Sequence, residues 1–308
     1  MNLLYKILAI VRADEMSDLP NPKQQNLILG AAFLAVAMLT IPGLDAIAKY
    51  LSVELSPLYI SWARYTAASI IILPIAMIKF GVKDLAFFPK RNIKSHFIRT
   101  FFIVAAMACY FIALSTTPIA TATAITMIAP IVATVAAVFL LGEKLTKLKV
   151  IALVFGFIGA MIIIQPSSDM ESGVIFAAMT GFFYGGYIVT TRQMAQASNP
   201  LRTLTFQCVM GAMFLTPFAL IYWELPTQSQ LLFIFAMGLI SVFCHGLTLL
   251  AFQYAQASAL SPLVYLEIVS AAILGYLVFA DVPTLTFWIG TGFIVFAGIV
   301  VSMSRERS

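Results

Sequence analysis

Residues 27–51 read LILGAAFLAVAMLTIPGLDAIAKYL, and residues 173–192 read GVIFAAMTGFFYGGYIVTTR. Both are nearly unbroken apolar runs, and a helix needs about 20 such residues to cross a bilayer. The two runs also match one another. A shift of 143 positions sets Gly30 on Gly173, Pro42-Gly43 on Gly185-Gly186 and Lys49 on Arg192. The same shift sets Pro57 on Pro200, Arg64 on Gln207 and Pro74 on Pro217. Farther along, a shift of 138 pairs Ala113 with Ala251, Glu143 with Asp281 and Thr146 with Thr284. Self-similarity over so long a period marks a duplicated architecture.

Working outward, ten apolar stretches appear: 27–51, 57–79, 97–115, 118–141, 148–165, 173–192, 201–223, 230–253, 259–280 and 284–303. Each copy, 27–165 and 173–303, holds five of them. Five is odd, so the second copy enters the membrane from the side opposite the first. The expected fold is an all-α integral membrane protein whose ten transmembrane helices form two inverted five-helix repeats around a central cavity. Composition agrees: 61% of the chain is hydrophobic and only 10% is charged, whereas soluble domains carry about 25% charge.

The basic residues set the topology. Lys79, Lys83, Lys90, Arg91, Lys94 and Arg99 cluster between spans two and three. Lys144, Lys147 and Lys149 lie between four and five, and Arg192 and Arg202 flank the six–seven connection. The alternate loops hold Glu54, Asp169, Glu171, Glu224 and Asp281, with no Lys or Arg. The positive-inside rule then puts both termini in the cytoplasm, and the expected location is a bacterial inner (plasma) membrane. A net charge of +5 concentrated on these rims suits anionic lipid headgroups, not nucleic acid. Cys109, Cys208 and Cys244 fall inside apolar spans at no metal-ligand spacing and read as small buried hydrophobes. Residues 1–26 stand outside the repeat and read as an interfacial helix or a tail, with no small-residue cleavage site of a signal peptide. Residues 304–308 form a cytoplasmic tail.

Certain residues interrupt the apolar spans. Pro42 removes a backbone donor and Gly43 relaxes the helix, so Pro42-Gly43 reads as a break in span one, and Gly185-Gly186 as its mate in span six. Matched breaks point to a central binding site; two kinks without function are the plainer alternative. Gly181 and Gly185 also form a GxxxG pair suited to helix packing. Asp45 and Lys49 share one helix face at i, i+4 and are expected to pair, either for function or simply to neutralise one another. Arg64 lies seven residues into span two, as part of a polar site or as a staple for nearby carbonyls. Glu267 lies eight residues into span nine, with Leu263, Val264, Ser270, Ala271 and Leu274 on its face and no local partner. A carboxylate so placed faces a cavity, where it binds a substrate amine or takes up and releases a proton. Gln207, Gln253 and His245 add neutral polar groups. Tyr110, Tyr184, Tyr187, Tyr254 and Tyr265 suit a planar or cationic ligand.

These residues also carry a resemblance. Arg64, Ala120-Thr121-Ala122-Thr123-Ala124, Ala129-Pro130 and Leu141-Gly142-Glu143 in the first copy resemble the EamA branch of the drug/metabolite transporter superfamily. So do Ser261-Pro262-Leu263-Val264-Tyr265-Leu266-Glu267 and Phe279-Ala280-Asp281-Val282-Pro283 in the second. The resemblance runs from Asn26 to about Ser304. It implies ten helices around a central cavity with alternating access, and substrates among amino acids, nucleotide-related metabolites, vitamins and amines. The Tyr-Leu-Glu stretch looks most like members that take up S-adenosylmethionine, with riboflavin carriers next. Ile268 departs from the pattern where many repeats have a counterpart of Pro130, and Asp281 replaces the commoner Glu.

The expected function is secondary-active or facilitative transport of a small organic metabolite, with proton coupling through Glu267 as one option. A channel-like pore is the alternative. A membrane enzyme is disfavoured, because no HExxH, CxxC or GxSxG occurs, and no Walker loop suggests ATP drive. No cofactor or metal is expected. The partners are a small solute, the bilayer and, with coupling, protons; the assembly is a monomer or a homodimer.

Overall fold

The computed structural model describes residues 26–83, 88–89, 93–141, 147–165, 171–194, 199–255 and 260–305. Among them there is no strand. The first half comprises α1 (Leu27–Leu51), α2 (Pro57–Phe80), α3 (Ile93–Thr116), α4 (Ile119–Thr126), α5 (Ala129–Leu141) and α6 (Lys147–Ile164). The second comprises α7 (Ser172–Met194), α8 (Pro200–Ile221), α9 (Gln228–Tyr254), a 3-10 turn (Ser261–Tyr265), α10 (Leu266–Phe279) and α11 (Leu285–Arg305). The ends follow local chemistry. Asn26 accepts from the Leu29 N–H at 3.0 Å to cap α1, and Pro57 and Pro200 open α2 and α8 where a missing N–H costs nothing. Thr227 and Gln230 form a reciprocal capping box at the start of α9.

Seven of these segments are long and apolar enough to cross a membrane, and three shorter apolar helices make up the rest of the ten. The protein is an all-α integral membrane protein of ten spans. Its outer surface fits lipid, since Ile78, Phe139 and Leu225 are 82–84% exposed, a condition water would penalise.

Helix pairing barely changes when the two halves are exchanged. α3 packs on α7 and α9 on α1; α9 packs on α2 and α3 on α8; α5 packs on α7 and α10 on α1. Two pairings map onto themselves: α2 with α8, and α6 with α11. The main apolar core gathers towards one end, around Leu51, Leu55, Tyr59, Leu114, Ile119 and Phe287.

The helix breaks are not where the sequence suggests. Helix α1 runs unbroken through Pro42 and Gly43, and α7 through Gly185 and Gly186. Gly185 and Gly186 are contact positions instead. A Cβ on Gly185 would come within 2.7 Å of the Val132 side chain, and one on Gly186 within 2.7 Å of the Phe102 ring. The actual discontinuities lie in spans four and nine. α4 stops at Thr126, and α5 begins at Ala129, one residue before Pro130. In span nine the 3-10 turn carrying Pro262 hands over to α10 between Tyr265 and Leu266. The shift of 138 places this junction on Met127 and Ile128, so the two breaks coincide in register even though Ile268 replaces the second proline.

Candidate functional site

Where these elements meet, a cavity of about 380 Å³ lies inside the bundle. Each helix lines it with one stripe at three- or four-residue spacing, as a helix face requires. α1 gives Leu34, Met38, Ile41 and Asp45; α3 gives Ile103, Met107 and Tyr110; α7 gives Tyr184, Tyr187 and Thr191. α9 gives Ser241, Cys244, His245 and Thr248, while Arg64 enters from α2. The broken spans supply Thr123 and Thr126 on one side, Val264 and Glu267 on the other.

Asp45 is 2% exposed, and the Tyr110 hydroxyl lies 3.1 Å from its Oδ2 and 2.9 Å from Thr123 Oγ1. Arg64 is 5% exposed; its Nη2 reaches Ser241 Oγ at 3.4 Å, its Nε has no partner among the described residues, and its guanidinium lies over the rings of Tyr65 and Phe111. His245 Nδ1 sits 2.8 Å from the Ser241 carbonyl. Tyr184 and Tyr187 are stacked, with centroids 5.5 Å apart and planes at 11°. Among the described residues, Glu267 forms no hydrogen bond or ion pair and faces the cavity through the first turn of α10.

Of the candidate residues, Glu267, Asp45, Arg64, Tyr110, Tyr184, Tyr187 and His245 come together here. Others do not. Lys49 points to the end of the bundle, where its Nζ meets Asp281 Oδ2 at 3.0 Å and donates to the Thr117 carbonyl at 3.1 Å. The expected Asp45–Lys49 pair is therefore corrected: each group turns to a partner from another element that is nearer than a neighbour one turn along. The Tyr265 hydroxyl packs on Gly298 of α11, and Gln207 is buried in α8 away from the cavity. The side chains of Gln253 and Arg192, and Glu143 as a whole, lie outside the described residues. None of Pro42, Gly43, Gly185 and Gly186 lines the cavity.

The sequence reading missed several contributors. Thr123, Thr126, Thr191, Ser241 and Thr248 bring hydroxyls. Arg99, read as part of a basic loop, is 7% exposed within α3; it donates from Nε to Thr191 at 2.8 Å and from Nη2 to the Tyr187 hydroxyl at 2.7 Å. Threonine spacing along one helix face is the signal that could have found the hydroxyls.

The chain as a whole is similar to known proteins. The profile of the EamA-like transporter family matches the chain twice, over residues 28–165 and 171–303. An S-adenosylmethionine uptake transporter of Rickettsia prowazekii is 24% identical, over 91% of this chain and 94% of that protein. A riboflavin transporter of Vibrio cholerae is 25% identical, over 86% and 90% respectively. A protein crystal structure matches the fold with a TM-score of 0.61 at 16% identity, covering 91% of this chain and 98% of that one. The profile matches once in each half, and relatives aligned over nearly the whole chain are transporters and not enzymes: this chain is a member of the EamA-like transporter family.

Proposed function

We propose that the protein is a secondary carrier that moves a small organic metabolite by alternating access. The observation that carries this reading is a cavity lined by buried charged groups at the meeting of the two halves and shut off at one end. That end is sealed by Lys49, Asp281 and the Thr117 carbonyl, with Gln230 donating to Glu54 at 2.6 Å beside them. All of these contacts lie in, or at the helix ends beside, the loops without Lys or Arg, which the positive-inside rule assigns to the non-cytoplasmic face. The cavity then addresses the cytoplasm in this conformation.

Inversion of the two repeats supplies the second conformation. The odd number of spans per copy and the exchangeable helix pairing support it. Paired discontinuities at Met127–Ile128 and Tyr265–Leu266 let the half-helices beside the cavity tilt separately. Glu267 couples protons in this reading; the groups around it are Asp45, Arg64, Tyr110, Cys244 and His245. The relatives make S-adenosylmethionine and riboflavin the first solutes to try.

The test is a thermal-shift screen of purified protein against metabolites, followed by counterflow of each hit in proteoliposomes. Saturable uptake accelerated by solute on the far side is expected. Flux without saturation or counterflow would instead establish a pore.

A further inference from the structure

Two features of the cavity are unbalanced. Arg64 is 5% exposed, yet among the described residues its Nε has no partner and its one side-chain hydrogen bond, to Ser241, is long at 3.4 Å. No carboxylate of a described residue lies within 4.0 Å of it, since the only such pair among them joins Lys49 to Asp281. Across the same space stand two carboxyl groups, Asp45 and Glu267, with no cation within 4.0 Å among the described residues. Opposite charges in a low-dielectric interior ordinarily close on one another or are replaced by apolar residues, because an unpaired buried charge is costly. Here they are held apart. Tyr110, whose hydroxyl also bonds Thr123, holds Asp45 on one wall, while the Tyr65 and Phe111 rings hold the Arg64 guanidinium on the other.

We propose that the transported solute is dipolar: an anionic group, best a carboxylate, seats on Arg64, and a cationic group sits between Asp45 and Glu267. The inference rests on the carrier reading above and sharpens it. A guanidinium presents a planar set of donors that matches a carboxylate, whereas an ammonium or sulfonium needs only nearby negative charge. The stacked Tyr184–Tyr187 pair forms a flat wall beside both, suited to an aromatic portion of the solute or to its cation. Arg99 keeps that wall in place through its bonds to Tyr187 and Thr191. A neutral planar solute would leave the Arg64 Nε and both carboxyl groups unanswered. Bound solute completes the charge balance, so solute-free and solute-loaded forms differ in what they cost to close around.

The experiment compares solutes that differ by one charged group, using purified full-length protein and thermal shift with direct binding. One series is S-adenosylmethionine, its decarboxylated form and 5′-methylthioadenosine. A second is tryptophan, tryptamine and indole-3-propionate, and riboflavin serves as the neutral member. In at least one series the bipolar compound is expected to bind about 10- to 100-fold tighter than the version lacking the carboxylate, the range for one charge-assisted hydrogen-bonded group. Arg64→Gln should erase that difference by weakening only the carboxylate-bearing member, and Arg64→Lys should restore part of it. The wild-type series decides the matter even if the variants fold poorly. Equal binding with and without the carboxylate, tightest binding of riboflavin, or no binding by either bipolar compound would overturn the proposal. Counterflow of riboflavin or of an amine in that case would leave the carrier reading standing, and absence of any counterflow would remove both.

Discussion

Glu267 and Tyr110 concentrate the chemistry into single side chains. Glu267 lacks a hydrogen bond or ion pair among the described residues, so Glu267→Gln removes a charge while breaking no observed contact. That variant should elute and fold as wild type but lose uptake driven by an inward proton gradient, while counterflow at equal pH persists with a weaker apparent affinity for a cationic solute. Gradient-driven uptake at the wild-type rate would exclude it as the coupling group. Tyr110→Phe is different, because it strips Asp45 of its one observed hydrogen bond. A buried carboxylate left without it should lower stability by about 1–3 kcal/mol, read as a fall in melting temperature in detergent. These charged residues were legible because a charge inside an apolar run costs at least about 2.5–3.5 kcal/mol on insertion and so stands out. The threonines of the cavity cost little in a helix and carry no such signal. The partner of Lys49 was unreadable for another reason: Asp281 lies 232 positions away, and only the packed bundle brings it closer than Asp45.

At the level of elements, the glycines separate packing from breaking. Gly43 has open space where a Cβ would go, whereas Gly185 lies against Val132 and the Ala129 carbonyl. Gly43→Ala should therefore be neutral or stabilising by up to about 1 kcal/mol, as in any helix interior. Gly185→Leu should cost about 1–3 kcal/mol or more by overpacking the α5–α7 contact. Thermal unfolding of the two variants checks both, and equal effects would undo this assignment of roles. Most span ends were legible to within one or two residues, though α3 begins four residues before the expected third span, because apolar length is a strong signal in a membrane protein. Which span is broken was not. Pro42 sits inside an α-helix that tolerates it, while the junction of span nine lies between Tyr265 and Leu266, with no proline at the position equivalent to Pro130. Proline marks where a donor is missing; whether the helix opens there depends on what packs around it.

For the whole molecule, the question raised by the proposed carrier cycle is what would keep one end shut. Lys49 of α1 and Asp281 beyond α10 come from different halves, and the pair is capped by the Thr117 carbonyl and the Phe279 ring. Both groups are partly exposed, at 17% and 26%, so screening limits the pair to about 1 kcal/mol. That is small against the fold yet matters to a two-state equilibrium, where it amounts to a roughly fivefold shift in population. Lys49→Met should therefore raise the share of molecules open on that face. The check is an impermeant maleimide added from the side opposite the cytoplasm, with a cysteine at Ile41 on the cavity wall and Cys109, Cys208 and Cys244 replaced by Ala. Labelling should be slow in the background protein, about fivefold faster with Lys49→Met, and slowed again in the charge-swapped Lys49→Asp, Asp281→Lys double variant. The same reagent applied to cysteines at Arg91 and Asp169 should reach them from opposite sides of the membrane. If Lys49→Met leaves labelling at Ile41 unchanged, the ion pair is only a surface ornament and the closure resides in the apolar core around Leu51, Leu114 and Ile119.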